Sequence, residues 1–223
     1  RGLRAFSAAR SRLVEDRLAD GVRAGVTQFA VLGAGLDTFA YRNPYAGLRV
    51  FEVDHPDTQA WKRARLEEAG IPTPPSVTYV PVDLAAADWF DSLRASGFRA
   101  TASAGFSWLG VVTYLTVEAV RATLRRIAAL PAGTFVVFDY GISRELLTDR
   151  QRAVLDAAAA RVAAIGEPFV TFFQPSDLEA ELRAAGFSSV EQWGPDGLNA
   201  RYFAGRTDGL HAGGLAWLAC AAV

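Results

Sequence analysis

The chain has 223 residues, of which 51% are hydrophobic, and its 23 basic and 24 acidic side chains leave a formal net charge of −1. This length predicts one domain over residues 1–223 with a full core. A nearly neutral chain has no field that gathers nucleic acid or an anionic membrane, so we expect a small-molecule partner, no nucleic acid and no membrane. Composition leaves the oligomeric state open.

Targeting signals are not evident in the sequence. Its apolar runs are shorter than the roughly 18 residues that span a membrane. The lone cysteine, Cys220, is expected to be a small buried hydrophobe, which suits a cytoplasmic location. Because the chain begins at Arg1 and contains no methionine, we expect part of the natural N-terminus to be missing.

Strand and helix patterns alternate along the first two thirds of the chain. Apolar positions near helical spacing from Leu3 to Leu18 predict a first helix over residues 1–21. Strands are predicted at Phe29–Leu32, Arg49–Val53, Val77–Val82, Ala104–Leu109 and Thr134–Asp139, with helices near Thr58–Ala69, Ala87–Ser96, Val117–Ala129 and Thr148–Ile165. Near-continuous apolar strands with helical crossovers indicate a parallel sheet covered on both faces.

The pattern changes toward the C-terminus. Ser176-Asp-Leu-Glu179 matches a capping box, and the helix that it starts is expected to stop at Gly186. A strand over Phe187–Trp193, an irregular stretch over Gly194–Gly214 and a last strand over Leu215–Val223 follow. Two closing strands without a full crossover helix predict an antiparallel addition. The predicted fold is therefore α/β, with a mostly parallel seven-stranded sheet, helices on both faces and an antiparallel final strand.

A glycine turn after the first strand predicts a nucleotide site. The segment Phe29–Thr38 reads Phe-Ala-Val-Leu-Gly-Ala-Gly-Leu-Asp-Thr, and Gly33 and Gly35 let the backbone turn sharply and approach a ligand. Asp54, at the end of the next strand, can accept hydrogen bonds from both ribose hydroxyls. The dinucleotide motif would place a third glycine or alanine at Thr38, so a nicotinamide oxidoreductase and a turn without a ligand are lesser alternatives.

Four motifs in order resemble those of the leucine carboxyl methyltransferase family. They are Leu32-Gly-Ala-Gly-Leu-Asp-Thr38, Phe51-Glu-Val-Asp-His-Pro56, Val82-Asp-Leu84 and Trp108-Leu-Gly-Val-Val-Thr-Tyr-Leu115. The resemblance covers roughly Ala8 to Leu210. It implies a Rossmann-like class I methyltransferase fold, S-adenosyl-L-methionine as cofactor and O-methyl transfer.

The resemblance also assigns cofactor-binding roles. Gly33, Ala34 and Gly35 would contact the methionine part of the cofactor, Asp54 the ribose, and Asp83 and Leu84 the adenine. Arg10 resembles the family's N-terminal arginine, which pairs with the cofactor carboxylate, and Arg12 is a rival for that role. The first helix would then cap the cofactor site.

The chain departs from the family pattern at two positions. Leu109 stands where many relatives place a glutamate facing the cofactor's amino group, and the loss of a charge-assisted hydrogen bond there is worth about 1.5–3 kcal/mol. Ser107 or backbone carbonyls are candidates to compensate. Phe39 stands where relatives often carry an arginine, and we have no mechanistic interpretation of it.

Three residues are candidates for catalysis. Tyr114 points its hydroxyl toward the reacting centre or packs in the core, and His55 acts as a base or only flanks the adenosine. Arg201, in Leu198-Asn-Ala-Arg-Tyr-Phe203, clamps an acceptor carboxylate or pairs with a structural acid while the two aromatic residues after it pack.

Other polar residues are not expected to take part. His211 is predicted to lie at the surface, and the basic run Trp61–Arg65 to form a solvated helix face. The spacing of Cys, His and acidic residues predicts no metal site.

The predicted function is methylation of a carboxylate on a small molecule such as a natural-product intermediate of secondary metabolism. A carboxylate with a pKa near 4 is ionised at neutral pH, so it needs no dedicated base. A phenol acceptor, for which His55 would serve as base, and a non-catalytic remnant that binds S-adenosyl-L-methionine remain the alternatives.

Overall fold

The structure is a computed structural model that describes residues 2–85, 88–164 and 166–223. The helices are α1 (Gly2–Arg23), α2 (Pro56–Glu68), α3 (Trp89–Ala95), α4 (Val117–Ala128), α5 (Asp149–Ala163), α6 (Pro175–Ala185) and α7 (Pro195–Tyr202). The strands are β1 (Gln28–Leu32), β2 (Arg49–Asp54), β3 (Val77–Pro81), β4 (Gly105–Trp108), β5 (Phe135–Ile142), β6 (Phe172–Phe173), β7 (Ser189–Trp193) and β8 (Ala216–Ala222).

One sheet organises the molecule. Its strand order is β3-β2-β1-β4-β5-β8-β7, and the two-residue β6 pairs with the end of β5. The pairs among β1 to β6 are parallel, whereas β8 is antiparallel to both β5 and β7. The predicted fold class is confirmed: the seven expected strands form, and β6 is an addition that the sequence did not predict.

Both faces of the sheet are covered, which explains why its central strands are mostly apolar. Every residue of β1 and β4 is buried. Along β4, Phe106 and Trp108 enter the core on one face. Gly105 and Ser107 point to the opposite face, because successive side chains of a strand alternate. On that face the side chains of α1, among them Leu13 and Leu18, pack against the sheet.

Besides the addition of β6, the last third of the chain differs from its prediction in two places. The capping box was wrong, since α6 begins at Pro175 after Gln174 and the Ser176 hydroxyl bonds to the next side chain, Asp177. Gly186 does end the helix, with φ of 112°, as predicted. The stretch expected to be irregular contains α7, which starts at Pro195, a residue well suited to the first turn of a helix.

The ends of the other helices and strands differ from the predicted ends by a few residues. Arg1 and Ala87, the expected starts of the first and third helices, and Ile165, the expected end of the fifth, lie outside the described residues. Cys220 is buried as predicted, and burial raises the pKa of its thiol to about 12. Among the described helices, none combines the length and the apolar character that a membrane crossing requires.

Candidate functional site

The glycine turn follows β1 at the carboxyl edge of the sheet. The amides of Gly33 and Ala34 both donate to the Val53 carbonyl, at 2.8 and 3.2 Å. The amide of Gly35 donates to one carboxylate oxygen of Asp54, and the other oxygen accepts the amide of His55 at 2.7 Å. The end of β2 thus holds the turn, and the Asp54 carboxylate faces it.

The two glycines of the turn have different requirements. Gly33 has φ of +70°, and a Cβ there would lie 2.3 Å from Cγ2 of Val111 in the loop after β4. Gly35 has φ of +41°, and the nearest atom to its Cβ would be the Gly33 carbonyl oxygen at 4.0 Å. The turn is therefore tightly packed at Gly33 and open at Gly35, where a ligand has room to approach.

A buried ion pair supports the turn from below. Lys62 is 4% exposed, and its Nζ lies 2.8 Å from both Glu52 Oε1 and the Asp37 carbonyl oxygen. Burial raises the pKa of Glu52, and Lys62 opposes that shift. The prediction of a solvated basic face was therefore wrong for Lys62, while Trp61 and Arg65 are exposed. The sequence feature that indicates a buried partner for Lys62 is Glu52, because it is an acid flanked by apolar residues within a strand.

The ends of β2 and β3 bring more of the predicted residues together. Asp54 pairs in register with Pro81, so Asp83 and Leu84 lie just beyond the same edge. Asp83 is exposed and accepts the amide of Ala85 at 2.8 Å, while Leu84 is buried. An acid and an apolar side chain next to Asp54 are consistent with an adenosine site.

His55 lies beside the turn but serves as the cap of α2. Its Nδ1 accepts the amide of Asp57 at 3.3 Å, and its side chain is 54% exposed.

Arg10 and Asp139 form an ion pair next to the turn. Arg10 Nη1 lies 2.6 Å from Asp139 Oδ2, and the other carboxylate oxygen accepts the amide of Gly110. Asp139 is 7% exposed. Arg12 instead pairs with Asp16 on its own helix and is largely exposed, so the geometry favours Arg10 over its rival. Asp139 was not among the predicted site residues, although it is an acid within the otherwise apolar strand β5.

Leu109 and Ser107 lie near this ion pair. Leu109 packs against the core beneath α1. Ser107 is 2% exposed, and within the described residues its hydroxyl has no hydrogen-bond partner.

Tyr114 lies in a short 3-10 turn after β4 and is 36% exposed. Its ring packs against Phe169, with 5.5 Å between the ring centroids. Burial raises the pKa of its phenol, and the negative charges of Glu167 and Asp139 raise it further. Tyr114 is therefore a hydrogen-bond donor at neutral pH, not a base.

Arg201 lies in the last turn of α7 and contacts α1. Its Nη2 lies 3.0 Å from Asp16, and its Nε donates to the Tyr202 hydroxyl at 2.9 Å. The guanidinium also covers the Trp193 ring, 5.4 Å from its centroid. Of the two interpretations of Arg201, this geometry matches pairing with a structural acid.

The residues at this edge fit an adenosine joined to an amino acid. The open side of the glycine turn has room for the ligand, the acids at the ends of β2 and β3 suit its hydroxyls and amine, and Arg10 suits a carboxylate. In the parts of the chain that the structure describes, no group of three or more Cys, His or acidic residues is placed to hold a metal ion. The fold and this edge together are those of class I S-adenosyl-L-methionine-dependent methyltransferases.

Comparison with known proteins identifies the family. The profile of the leucine carboxyl methyltransferase family matches residues 1–128. A provisionally named S-adenosyl-L-methionine-dependent methyltransferase of Bacillus subtilis, YktD, is 34% identical over 207 residues, which cover 92% of this chain and 68% of YktD. The chain belongs to the leucine carboxyl methyltransferase family. It spans about half the length of the mycobacterial relatives: one from Mycobacterium avium, with a similar provisional name, is 39% identical over 60% of this chain and 45% of its own.

Solved structures share the fold at low identity. A DUF574-family protein from Streptomyces avermitilis superposes with a TM-score of 0.66 at 20% identity, over 99% of this chain and 83% of its own. Magnesium protoporphyrin IX methyltransferase from Synechocystis, solved with bound S-adenosylhomocysteine, gives 0.57 at 13% identity, over 98% and 83%.

Proposed function

We propose that the protein is an S-adenosyl-L-methionine-dependent O-methyltransferase whose acceptor is the carboxylate of a small molecule. The family supports methyl transfer and this cofactor. The acceptor class is inferred from the acid–base groups at the site.

The observation that carries the proposal is that neither histidine is placed as a base. The chain has two. His55 uses Nδ1 to cap α2, and His211 lies on an exposed loop with its own Nδ1 3.0 Å from the Gly209 carbonyl oxygen. Tyr114 is held protonated by its raised pKa. An acceptor that is already ionised at neutral pH suits such a site, and a carboxylate is one.

The chain's residues would bind and align the reactants. The turn at Gly33, Ala34 and Gly35 and the Asp54 carboxylate would hold the methionine part and the ribose. Asp83 and Leu84 would hold the adenine.

The N-terminal half of α1, which carries Arg10, would close the site within one domain over residues 1–223. Ser107 lies in β4, and its buried hydroxyl, which has no hydrogen-bond partner within the described residues, would be available to a bound group.

For methyl transfer, the main task of the protein is to align the acceptor oxygen with the methyl group. The site would supply, through bound S-adenosyl-L-methionine, a sulfonium methyl group for transfer to the acceptor oxygen, with the thioether S-adenosylhomocysteine as the leaving group. Tyr114, as a donor, would orient the acceptor oxygen. Holding two reactants in near-attack geometry lowers the barrier by about 7–11 kcal/mol.

The chemical stability of the product tests the acceptor class. The protein would be incubated with methyl-labelled cofactor and a panel of small carboxylic acids and phenols. We expect the transferred label to be released by mild alkali, because methyl esters hydrolyse and methyl ethers do not. Alkali-stable label would favour a phenol, and cofactor binding without transfer to any compound would favour a non-catalytic remnant.

Substitution of His55 separates its two roles. His55→Asn keeps a side-chain oxygen that caps α2, because Asn is a good N-cap, whereas His55→Ala removes the cap. We expect His55→Asn to keep transfer activity within about threefold and a flat rate from pH 6 to 8. A loss of about 100-fold or more in His55→Asn with an unchanged melting temperature would contradict the carboxylate proposal and assign a base.

A further inference from the structure

We propose that Asp139 accepts the ammonium group of the cofactor's amino-acid part, in place of the acid that is missing at Leu109. The Arg10–Asp139 pair would then receive both charges of that amino acid. This inference rests on the cofactor and not on the acceptor.

The sheet places Asp139 next to the missing acid. Trp108 and Phe138 are partners in the parallel pair β4–β5, so Leu109, directly after β4, and Asp139, within β5, follow one residue later. Side chains alternate along a strand, which puts both on the face that α1 covers. An acid at position 139 therefore lies one strand away from position 109, at the same level along the strands and on the same face of the sheet.

The contacts of Asp139 leave it able to bind a cation. Its two oxygens accept from the Gly110 amide and Arg10 Nη1, and a carboxylate has about four acceptor positions. Arg10 is 27% exposed, so the pair is reachable from solvent. The Asp139 carboxylate is almost fully buried, and a buried carboxylate interacts more strongly with a cation than an exposed one does.

The chemistry of the ligand matches the pair. An amino acid carries an ammonium and a carboxylate a few ångströms apart, and Asp139 and Arg10 present the opposite charges 2.6 Å from each other. The bond to Asp139 uses Nη1 of Arg10, while a guanidinium has five N–H donors. Arg10 can thus turn toward a carboxylate while Asp139 takes the ammonium.

Calorimetric titration with two ligands tests the assignment. S-adenosylhomocysteine carries the amino-acid part, and 5′-methylthioadenosine keeps the adenosine and sulfur but lacks it. We expect Asp139→Asn to weaken binding of the first by about 10- to 100-fold and to leave binding of the second unchanged within about twofold. Unchanged affinity for S-adenosylhomocysteine, or equal loss for both ligands, would overturn the inference.

Glu191→Gln is the matched control. It breaks the ion pair between Arg17 of α1 and β7, on the same face of the sheet. We expect it to change neither affinity by more than about twofold. If it weakens S-adenosylhomocysteine as much as Asp139→Asn does, then Asp139 acts only by anchoring α1, and the inference fails.

One further measurement does not depend on the folding of Asp139→Asn, and a second tests whether an acid at position 109 can replace Asp139. The unmodified protein should bind the desamino analogue of S-adenosylhomocysteine about 10- to 100-fold more weakly than the parent, and equal binding would overturn the inference. Leu109→Glu added to Asp139→Asn should restore at least part of the lost affinity for the parent ligand. None of these titrations uses an acceptor, so their failure is distinct from failure of the carboxylate proposal.

Discussion

Lys62 and Glu52 are both nearly inaccessible to water. The contacts of Lys62 link three segments of the chain beneath the candidate site. Glu52 belongs to β2, Lys62 to α2, and the carbonyl of Asp37 to the glycine turn. A buried ion pair contributes little net stability, but removing one partner leaves an unpaired charge. The glycine turn is therefore sensitive to a residue whose side chain lies beneath it.

Replacing Lys62 tests this dependence. Lys62→Met keeps an unbranched side chain one atom shorter than that of lysine and leaves Glu52 without its partner, so we expect the free energy of unfolding to fall by about 3–5 kcal/mol in urea titrations. Adding Glu52→Gln should recover part of the loss. Arg63→Met, on the exposed side of the same helix, should stay within about 0.5 kcal/mol of the unmodified protein. A loss below 1 kcal/mol in Lys62→Met would contradict this account.

The two glycines of the turn should respond differently to alanine. Gly33→Ala meets Val111 and adopts a positive φ, so we expect a loss of at least about 2 kcal/mol in the free energy of unfolding. Gly35→Ala has space for its methyl group and should cost only about 1–2 kcal/mol of backbone strain. We nevertheless expect Gly35→Ala to lose affinity for S-adenosylhomocysteine. Equal stability losses with unchanged affinity would argue against a ligand at Gly35.

At the scale of elements, four ion pairs among the described residues hold α1 to the sheet and its neighbours. Arg10 reaches β5, Arg17 reaches β7, Glu15 pairs with Arg42 after the glycine turn, and Asp16 pairs with Arg201 of α7. These charges lie along one helix and lead to four separate parts of the chain. Their positions along α1 therefore determine where Arg10 lies relative to the carboxyl edge of the sheet.

The Asp16 pair should give α1 a pH-dependent anchor. Burial raises the pKa of Asp16, but hydrogen bonds from Arg201 and Tyr202 outweigh burial and lower it overall. A carboxyl whose pKa is lowered by folding stabilises the fold above its unfolded pKa of about 3.9 and loses that contribution as the pH falls below it. We expect Asp16→Asn to reduce the free energy of unfolding by about 1 kcal/mol at pH 7 and by less below pH 4.

Unfolding of matched variants across pH provides the check. Asp20→Asn removes an exposed carboxylate of the same helix, which pairs with Arg23, and should have almost no effect. A pH-independent loss in Asp16→Asn would assign its effect to packing and not to charge.

For the whole molecule, a ligand at the carboxyl edge should order two distant stretches together. Residues 2–10 of α1 and residues 33–39 of the glycine turn both lie at this edge, whereas α5 buries only Leu155 among its residues. We expect S-adenosylhomocysteine to slow amide hydrogen exchange in the first two stretches and to leave α5 unchanged. Slower exchange in α5 with no change in residues 2–10 would contradict capping of the site by α1.

Local patterns sufficed for most of the elements. Strands buried on both faces read as apolar runs, and Gly186 marks a helix end because its positive φ suits glycine. Helix α7 was not predicted, because Pro195 and Gly197 are typical of a loop. In the fold, Leu198 of this helix packs beneath α1. Asn199 also holds the following loop by accepting the amide of Ala212 and donating to its carbonyl.

The sequence by itself determined the fold class and the family, and it predicted a nucleotide site at the glycine turn and Asp54, because these depend on patterns of residues close together along the chain. Only the tertiary structure decided which charges meet. The partners Arg10 and Asp139 are 129 residues apart, and Asp16 and Arg201 are 185 apart, so their distances depend on sheet register and helix packing, not on local propensity. The sequence shows that position 109 carries leucine and not an acid. That Asp139 lies next to this position follows only from the pairing of β4 with β5.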